Sequence, residues 1–264
     1  METVMIPDWS QIAQAPMPEN CGWQGHYRVR YSEIGANGRA TLPALADYMQ
    51  DSAGWGAKDL QLAYDDTVAQ GVAWVLARMV IMVHHYPSNG ETLHLETWPS
   101  GFAHRMASRD WRLFDEKGDI CAVAQSFWAL FDLKQRRAAR WPDWLVERLP
   151  EPPGPKLIDA SSRPASPPED LISRNSIIAQ ASDLDIYGHV NNVRLMQWIL
   201  GTTNNGLADF QPKGIDIQFR TECRQHDRVM IRQTNDYAAI SRIENTDAAG
   251  QSVTTDLVRA RVMR

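Results

Sequence analysis

Twice in this chain a strand-like run meets a glycine turn, then a helical stretch, then a series of further strand-like runs. In the first copy the opening run is 25–32 and the turn is Glu33-Ile-Gly-Ala-Asn-Gly38. Thr41 then stands as an N-cap before Leu42, Leu45, Ala46, Met49 and Ala53, which recur at helical spacing. Strand-like runs follow at 72–84, 91–101, 106–114 and 120–133, with turns at Pro87-Ser-Asn-Gly90 and Asp115-Glu-Lys-Gly118. In the second copy 175–181 suits a strand, a turn surrounds Gly188, and Val193, Met196, Ile199 and Leu200 mark a helix over 190–200. Strand-like runs at 215–223, 229–234, 238–244 and 253–263 complete it. The simplest reading is a duplicated α+β unit in which one helix packs on one antiparallel sheet.

The copies are unequal. The second turn lies within Ser182-Asp-Leu-Asp-Ile-Tyr-Gly-His-Val-Asn-Asn-Val193, where a carboxylate (Asp185), a phenol (Tyr187) and an imidazole (His189) alternate around Gly188. The first turn offers Asn37, Gly38 and Arg39 instead. One reactive centre per chain follows, in the second copy. Histidine serves as a base near neutral pH, and a neighbouring carboxylate orients it and stabilises its charged form. Asp185 and His189 are spaced i, i+4 and share a face if the turn is helical. Backbone N–H groups at 188–191 are candidate donors to an oxyanion. The bland alternative is a decorated helix cap, and Asp183, Asn191 and Asn192 suit capping.

At 264 residues, 44% hydrophobic and 22% charged, the chain has the balance of a globular protein with one sizeable domain or two small ones. Its formal net charge of −5 argues against bulk affinity for nucleic acid or an anionic membrane. No apolar run is long enough to span a membrane. Cys21, Cys121 and Cys223 are widely spaced without a CxxC pair, which argues against a disulfide framework or a zinc site and for a reducing compartment, so a cytoplasmic protein is expected. The histidines show no ligand spacing, so neither a metal nor an organic cofactor is expected. Trp74, Trp98, Trp111 and Trp128 fall in strand-like runs and suit sheet faces. The prolines crowded into 141–173 mark a long connector, with one helical turn at 143–148. The expected organisation is an N-terminal unit at 1–140, the linker at 141–173 and a C-terminal unit carrying the reactive turn at 174–264.

Several motifs occur in one order: Gly35-Ala-Asn-Gly-Arg-Ala-Thr41, Tyr48-Met-Gln-Asp-Ser-Ala-Gly54, Glu96-Thr-Trp-Pro-Ser-Gly101, the stretch 185–192, and Phe219-Arg-Thr-Glu-Cys223. Through them residues 25–264 resemble the acyl-acyl-carrier-protein thioesterases. The resemblance implies a tandem (double) hot-dog fold of class α+β, two long helices each wrapped by a curved antiparallel sheet. It also implies hydrolysis of the thioester that tethers a fatty acyl chain to acyl carrier protein, with that carrier as partner. Carried over residue by residue, the family's functional positions fall on Asp185, Tyr187, His189, Glu222 and Cys223. Tyr187 departs from the pattern, because the plant enzymes carry an asparagine there that holds substrate or catalytic geometry. A phenol also donates a hydrogen bond, with a longer reach. The carrier is expected to be acidic and to need a basic patch, and Arg136, Arg137 and Arg140, with Lys134, form the densest basic cluster.

In 215–223 the apolar residues at 215, 217 and 219 share a strand face with Cys223, leaving Glu222 on the opposite face. Both reach one site only where a bulge or strand end intervenes. Two mechanisms stay open. Either Cys223 is a nucleophile activated by His189, or Asp185, His189 and Glu222 polarise a water while Cys223 lines the cavity. The second is preferred, since a cysteine on an apolar strand face is usually a small buried hydrophobe. Met49 and Met79 are candidate lining for the acyl chain, and Asn191 is a candidate substrate contact. Two alternatives to carrier-linked hydrolysis stand: an acyl-CoA thioesterase of the same fold, and a non-catalytic acyl-binding protein. With both units in one chain, a monomer with an internal pseudo-dimer or a homodimer is expected.

Overall fold

A computed structural model describes residues 8–103, 105–160, 167–202, 211–246 and 252–264. The chain divides into two compact units. One holds the described residues up to Ala160 apart from Gly35, Ala36 and Asn37; the other holds those three and the described residues from Pro167 onward.

The first unit begins with α1 (Trp9–Gln14), β1 (Trp23–Arg28) and a 3-10 turn (Tyr31–Glu33). Then come α2 (Leu42–Asp59), α3 (Tyr64–Val68), β2 (Val72–Val83), β3 (Thr92–Ala103), β4 (Met106–Phe114), β5 (Ile120–Asp132), β6 (Arg137–Ala138) and α4 (Asp143–Val146). The strands pair antiparallel in the order β1-β3-β4-β5-β2, with β6 added to β5. Thr41 caps α2 as expected, its hydroxyl accepting from the N–H of Ala44. The predicted apolar stripe is the buried face of that helix, which packs on β3 and β1. Below it Trp111 is fully buried and its Nε1 donates to Ser52 Oγ on α2 at 3.0 Å, while Trp98 is fully buried on the other face of the sheet. Burying each such large side chain contributes roughly 1.5–3 kcal/mol.

The Pro-rich stretch corrects the expected linker. Residues 141–160 are strapped onto the first unit instead of standing between two units. Leu145 joins Leu62, Val72 and Leu130 in a buried cluster, with Trp141, Trp144 and Leu149 packed against it. Further on, Gly154 N donates to Pro99 O (2.8 Å), Trp98 Nε1 to Pro155 O (2.7 Å) and Arg78 Nη1 to Ala160 O (2.7 Å). Gly154 is required, since a Cβ there would lie 2.2 Å from the Trp98 ring. The anchor is Asp110 on β4, fully buried, which accepts from Leu157 N at 2.7 Å and Gln125 Nε2 at 2.9 Å, and also from Ser100 Oγ. Burial pushes its carboxyl up to about 6, against the lowering pull of those donors.

The second unit contains β7 (Ile172–Ile178), a 3-10 turn (Ala181–Asp183), α5 (Asn192–Thr202), β8 (Gly214–Phe219), β9 (Arg228–Gln233), β10 (Tyr237–Thr246) and β11 (Ser252–Met263). Its antiparallel order is β7-β9-β10-β11-β8, and α5 packs over β9 and β10. Val193, Met196, Ile199 and Leu200 face the core as their spacing predicts. Two boundaries move. β7 starts inside the expected linker, and β8 stops at Phe219, short of the expected Cys223. The N–H groups of Arg220 and Thr221 both donate to Leu257 O (2.8 and 3.4 Å), a bulge-like pattern that breaks the ladder.

Candidate active site

The reactive stretch folds as a closed turn, not as helix. Leu184 and Val190 form an antiparallel bridge. Between them Asp185 N donates to His189 O (2.8 Å) and Gly188 N to Asp185 O (3.0 Å). Gly188 has φ +74°, a left-handed conformation that glycine adopts without a Cβ penalty. Asp185 Oδ1 accepts from the N–H groups of Tyr187 (2.9 Å) and His189 (3.2 Å). Asp185 therefore holds the backbone beneath His189, and the helical i, i+4 pairing of the two side chains does not form. The helix begins only at Asn192, and Asn191 Oδ1 caps it by accepting from Val193 N at 2.8 Å. Asp183 caps the preceding 3-10 turn by accepting from Gln180 N at 2.8 Å.

The expected oxyanion donors are also corrected. Gly188 N and His189 N bond within the turn, Val190 N donates to Cys223 O (2.8 Å) and Asn191 N to Asp183 O (2.8 Å). All four N–H groups are committed, because the turn is closed on itself and pinned to the segment after β8.

That pinning assembles the site. His189 forms a bridge with Arg224, and its Nε2 lies 2.8 Å from Glu222 Oε2. Both side chains are about a third exposed, so substrate and water can reach them. Arg224 bonds to the other Glu222 oxygen. Arg224 N and Arg242 Nη1 both donate to Asp227 Oδ2, at 2.9 and 3.1 Å, and Arg242 Nη1 also reaches Glu222 O at 3.3 Å. Sequence reasoning missed Arg224, Asp227 and Arg242; the one local signal was the Glu222–Arg224 alternation of charge. Cys223 points inward and is buried. Burial first, and then Asp227, push its thiol up to about 12. The strand end after Phe219 resolves the conflict over Glu222 and Cys223: the glutamate turns to His189 and the cysteine to the core.

Models of the acyl-ACP thioesterase N-terminal and C-terminal domains match residues 21–149 and 168–257 of this chain. The chain belongs to the acyl-ACP thioesterase family. A palmitoyl-acyl carrier protein thioesterase of Cuphea hookeriana chloroplasts is 28% identical over 212 residues, 75% of this chain and 51% of the relative. The chloroplast oleoyl-acyl carrier protein thioesterase 2 of Arabidopsis thaliana is 27% identical over 255 residues, 89% of this chain and 70% of the relative. The chain thus spans about half the length of the first curated relatives it matches. An acyl-ACP thioesterase structure from Bacteroides thetaiotaomicron superposes with a TM-score of 0.76 at 22% identity, covering 93% of this chain and 98% of that one. The 12:0-ACP thioesterase of Umbellularia californica gives 0.76 at 18% identity with the same coverage. These likenesses show the fold, the tandem hot-dog expected from the motifs.

In this acyl-ACP thioesterase family member the first unit repeats the scaffold of the site without its chemistry. Ala40 N donates to Pro87 O (2.8 Å) as Val190 N does to Cys223 O, and Thr41 N to Glu33 O (3.0 Å) as Asn191 N does to Asp183 O. Ser88 N donates to Glu91 Oε2 (2.8 Å) as Arg224 N does to Asp227. Gly38 shares the φ of +74°. By this correspondence Gly35 stands for Asp185, Arg39 for His189 and Tyr86 for Glu222. Arg39 Nη1 donates to Ser88 Oγ (2.7 Å) and Tyr86 O (3.3 Å), a cation on a carbonyl in place of a base on a carboxylate.

Tyr187 is partly exposed on the turn. Met49 and Met79 are buried in the first unit, and Arg136, Arg137 and Arg140 are exposed at and beside β6.

Proposed function

We propose that this protein hydrolyses the thioester between a fatty acyl chain and an acyl carrier protein, releasing free fatty acid. The observation that carries the reading is the 2.8 Å contact of His189 Nε2 with Glu222 Oε2, in the half matched by the family's C-terminal domain. With Nε2–H donated to Glu222, the ring lone pair falls on Nδ1. Through Nδ1, His189 takes a proton from water as the water oxygen bonds to the thioester carbonyl carbon, and Glu222 stabilises the imidazolium. The tetrahedral intermediate collapses, the C–S bond breaks, and the imidazolium returns the proton to the departing thiolate.

Asp185 is a positioning residue in this scheme, and Arg224 holds Glu222. Cys223 packs into the core beside the site: a thiol held near 12 supplies almost no thiolate at neutral pH, which supports water over an acyl-enzyme. Met49 and Met79 flank the acyl chain, their thioethers adapting to its shape. Arg136, Arg137 and Arg140 meet the acidic carrier. No described helix is long and apolar enough to cross a membrane, and three free, buried cysteines suit a reducing compartment such as the cytoplasm.

The test is fatty acid release from a carrier protein and from coenzyme A loaded with the same acyl chains. The expected outcome is faster release from the carrier. Binding of acyl chains without turnover on either carrier contradicts the proposal.

A further inference from the structure

Three segments of the first unit bring together a constellation that thioester hydrolysis does not use. His85 follows β2, Asp115 opens the turn between β4 and β5, and Cys121 lies on β5. His85 Nε2 stands 3.1 Å from Asp115 Oδ2 and 3.5 Å from Cys121 Sγ, and all three atoms lie within 4.8 Å of one another. We propose that His85, Asp115 and Cys121 bind a divalent cation of the zinc class, with water completing a tetrahedral shell.

The geometry favours a cation over a hydrogen-bonded cluster. One ring nitrogen faces both a carboxylate and a sulfur. If Nε2 carries a proton and donates it to Asp115, the sulfur 3.5 Å away receives no hydrogen bond from the ring. If the nitrogen is bare and accepts from the thiol, its lone pair faces the carboxylate. A cation between the three atoms satisfies all of them. Donors bound to one tetrahedral zinc at about 2.0–2.3 Å sit roughly 3.3–3.6 Å apart, close to the two separations seen here. Thiolate, imidazole and carboxylate together form the mixed donor set that zinc accepts.

The surroundings prepare the donors. Asp115 Oδ1 accepts from the N–H groups of Lys117 and Asp119, both at 2.9 Å, which fixes the turn and leaves Oδ2 for the cluster. The N–H groups of His84 and His85 both donate to Cys121 O, tying the end of β2 to β5. Trp9 packs on the His84 ring, and His84 Nδ1 lies 3.5 Å from His85 Nδ1 on the exposed side of the ligand ring. Cys121 is fully buried while His85 is partly exposed, giving the ion an approach from solvent. As for any cysteine ligand, binding as thiolate releases the thiol proton to solvent.

The experiment is zinc titration of the full chain, followed by cobalt(II) substitution. One zinc per chain is expected, with a thiolate-to-cobalt absorption band and a raised melting temperature. Asp115→Asn keeps the acceptor for the turn and Cys121→Ser keeps the shape of the strand. Each is expected to weaken zinc at least about tenfold and, for Cys121→Ser, to abolish the band. Cys21→Ser should change neither. No binding over a large excess of zinc, or binding with unchanged affinity in both variants, overturns the site.

Discussion

His189 Nε2 and Glu222 Oε2 lie 2.8 Å apart because two backbone contacts pin the Gly188 turn to the segment after β8: the Val190–Cys223 hydrogen bond and the His189–Arg224 bridge. The pairing reassigns the carboxylates of the site. Glu222 is the partner of the imidazole, and Asp185 is the brace of the turn that carries it.

Substitution at Asp185 separates these roles. Asp185→Asn retains an oxygen for the N–H groups of Tyr187 and His189, so its melting temperature should match the parent and its turnover should exceed that of Glu222→Gln. Asp185→Ala leaves both N–H groups without their acceptor and should cost about 1–2 kcal/mol of stability. Equal stability of the Asn and Ala variants would show that the turn does not depend on this acceptor.

Cys223 should be dispensable for chemistry. With its thiol held near 12, alkylation of the native protein at this position should be slow at neutral pH, and Cys223→Ala should keep most of the turnover. Rapid alkylation coupled to loss of activity would restore the cysteine as nucleophile.

Asp110 gives the fold a defined pH signature. Its folded-state value of about 6 stands above that of an unfolded aspartate, so the folded protein binds the extra proton between about pH 4 and 6. Its contribution is most favourable below that window and is lost as pH rises through about 6, by as much as about 3 kcal/mol. Chemical denaturation of the parent and of Asp110→Asn across pH 4–8 should therefore differ in slope within that window and run parallel above it. Parallel profiles throughout would contradict the assignment.

Carrier docking through β6 predicts a salt effect. Reversing Arg136, Arg137 and Arg140 to Glu should raise KM for the acyl-carrier substrate about tenfold or more, and leave a small thioester of the same chain unaffected. Added salt should raise KM of the parent but not of the triple variant. An identical salt response in both would place docking elsewhere.

The helices and strands were legible because their signals are local. Thr41 before a stripe from Leu42 to Ala53 announces α2, and the run ending at Phe114 has the bounds of β4. The site was legible as residues but not as contacts. Nothing near His189 says that its partner is Glu222, and only the shared use of Leu257 O by Arg220 and Thr221 ends β8 early enough to turn Glu222 toward the ring. The 141–160 strap is hidden in the sequence because its prolines look like breakers of regular structure. Their carbonyls still accept hydrogen bonds, and Gly154, Leu157 and Ala160 supply the N–H groups. The cluster at His85, Asp115 and Cys121 escaped notice because its members come from separate segments joined only by strand pairing.

The most direct test of the central claim is the rate of fatty acid release from acyl carrier protein by Glu222→Gln. The variant is nearly isosteric and removes the charge that stabilises the His189 imidazolium. The expected result is a fall in kcat of about a hundredfold or more with the melting temperature preserved. Release at the parent rate by a folded Glu222→Gln protein would contradict it.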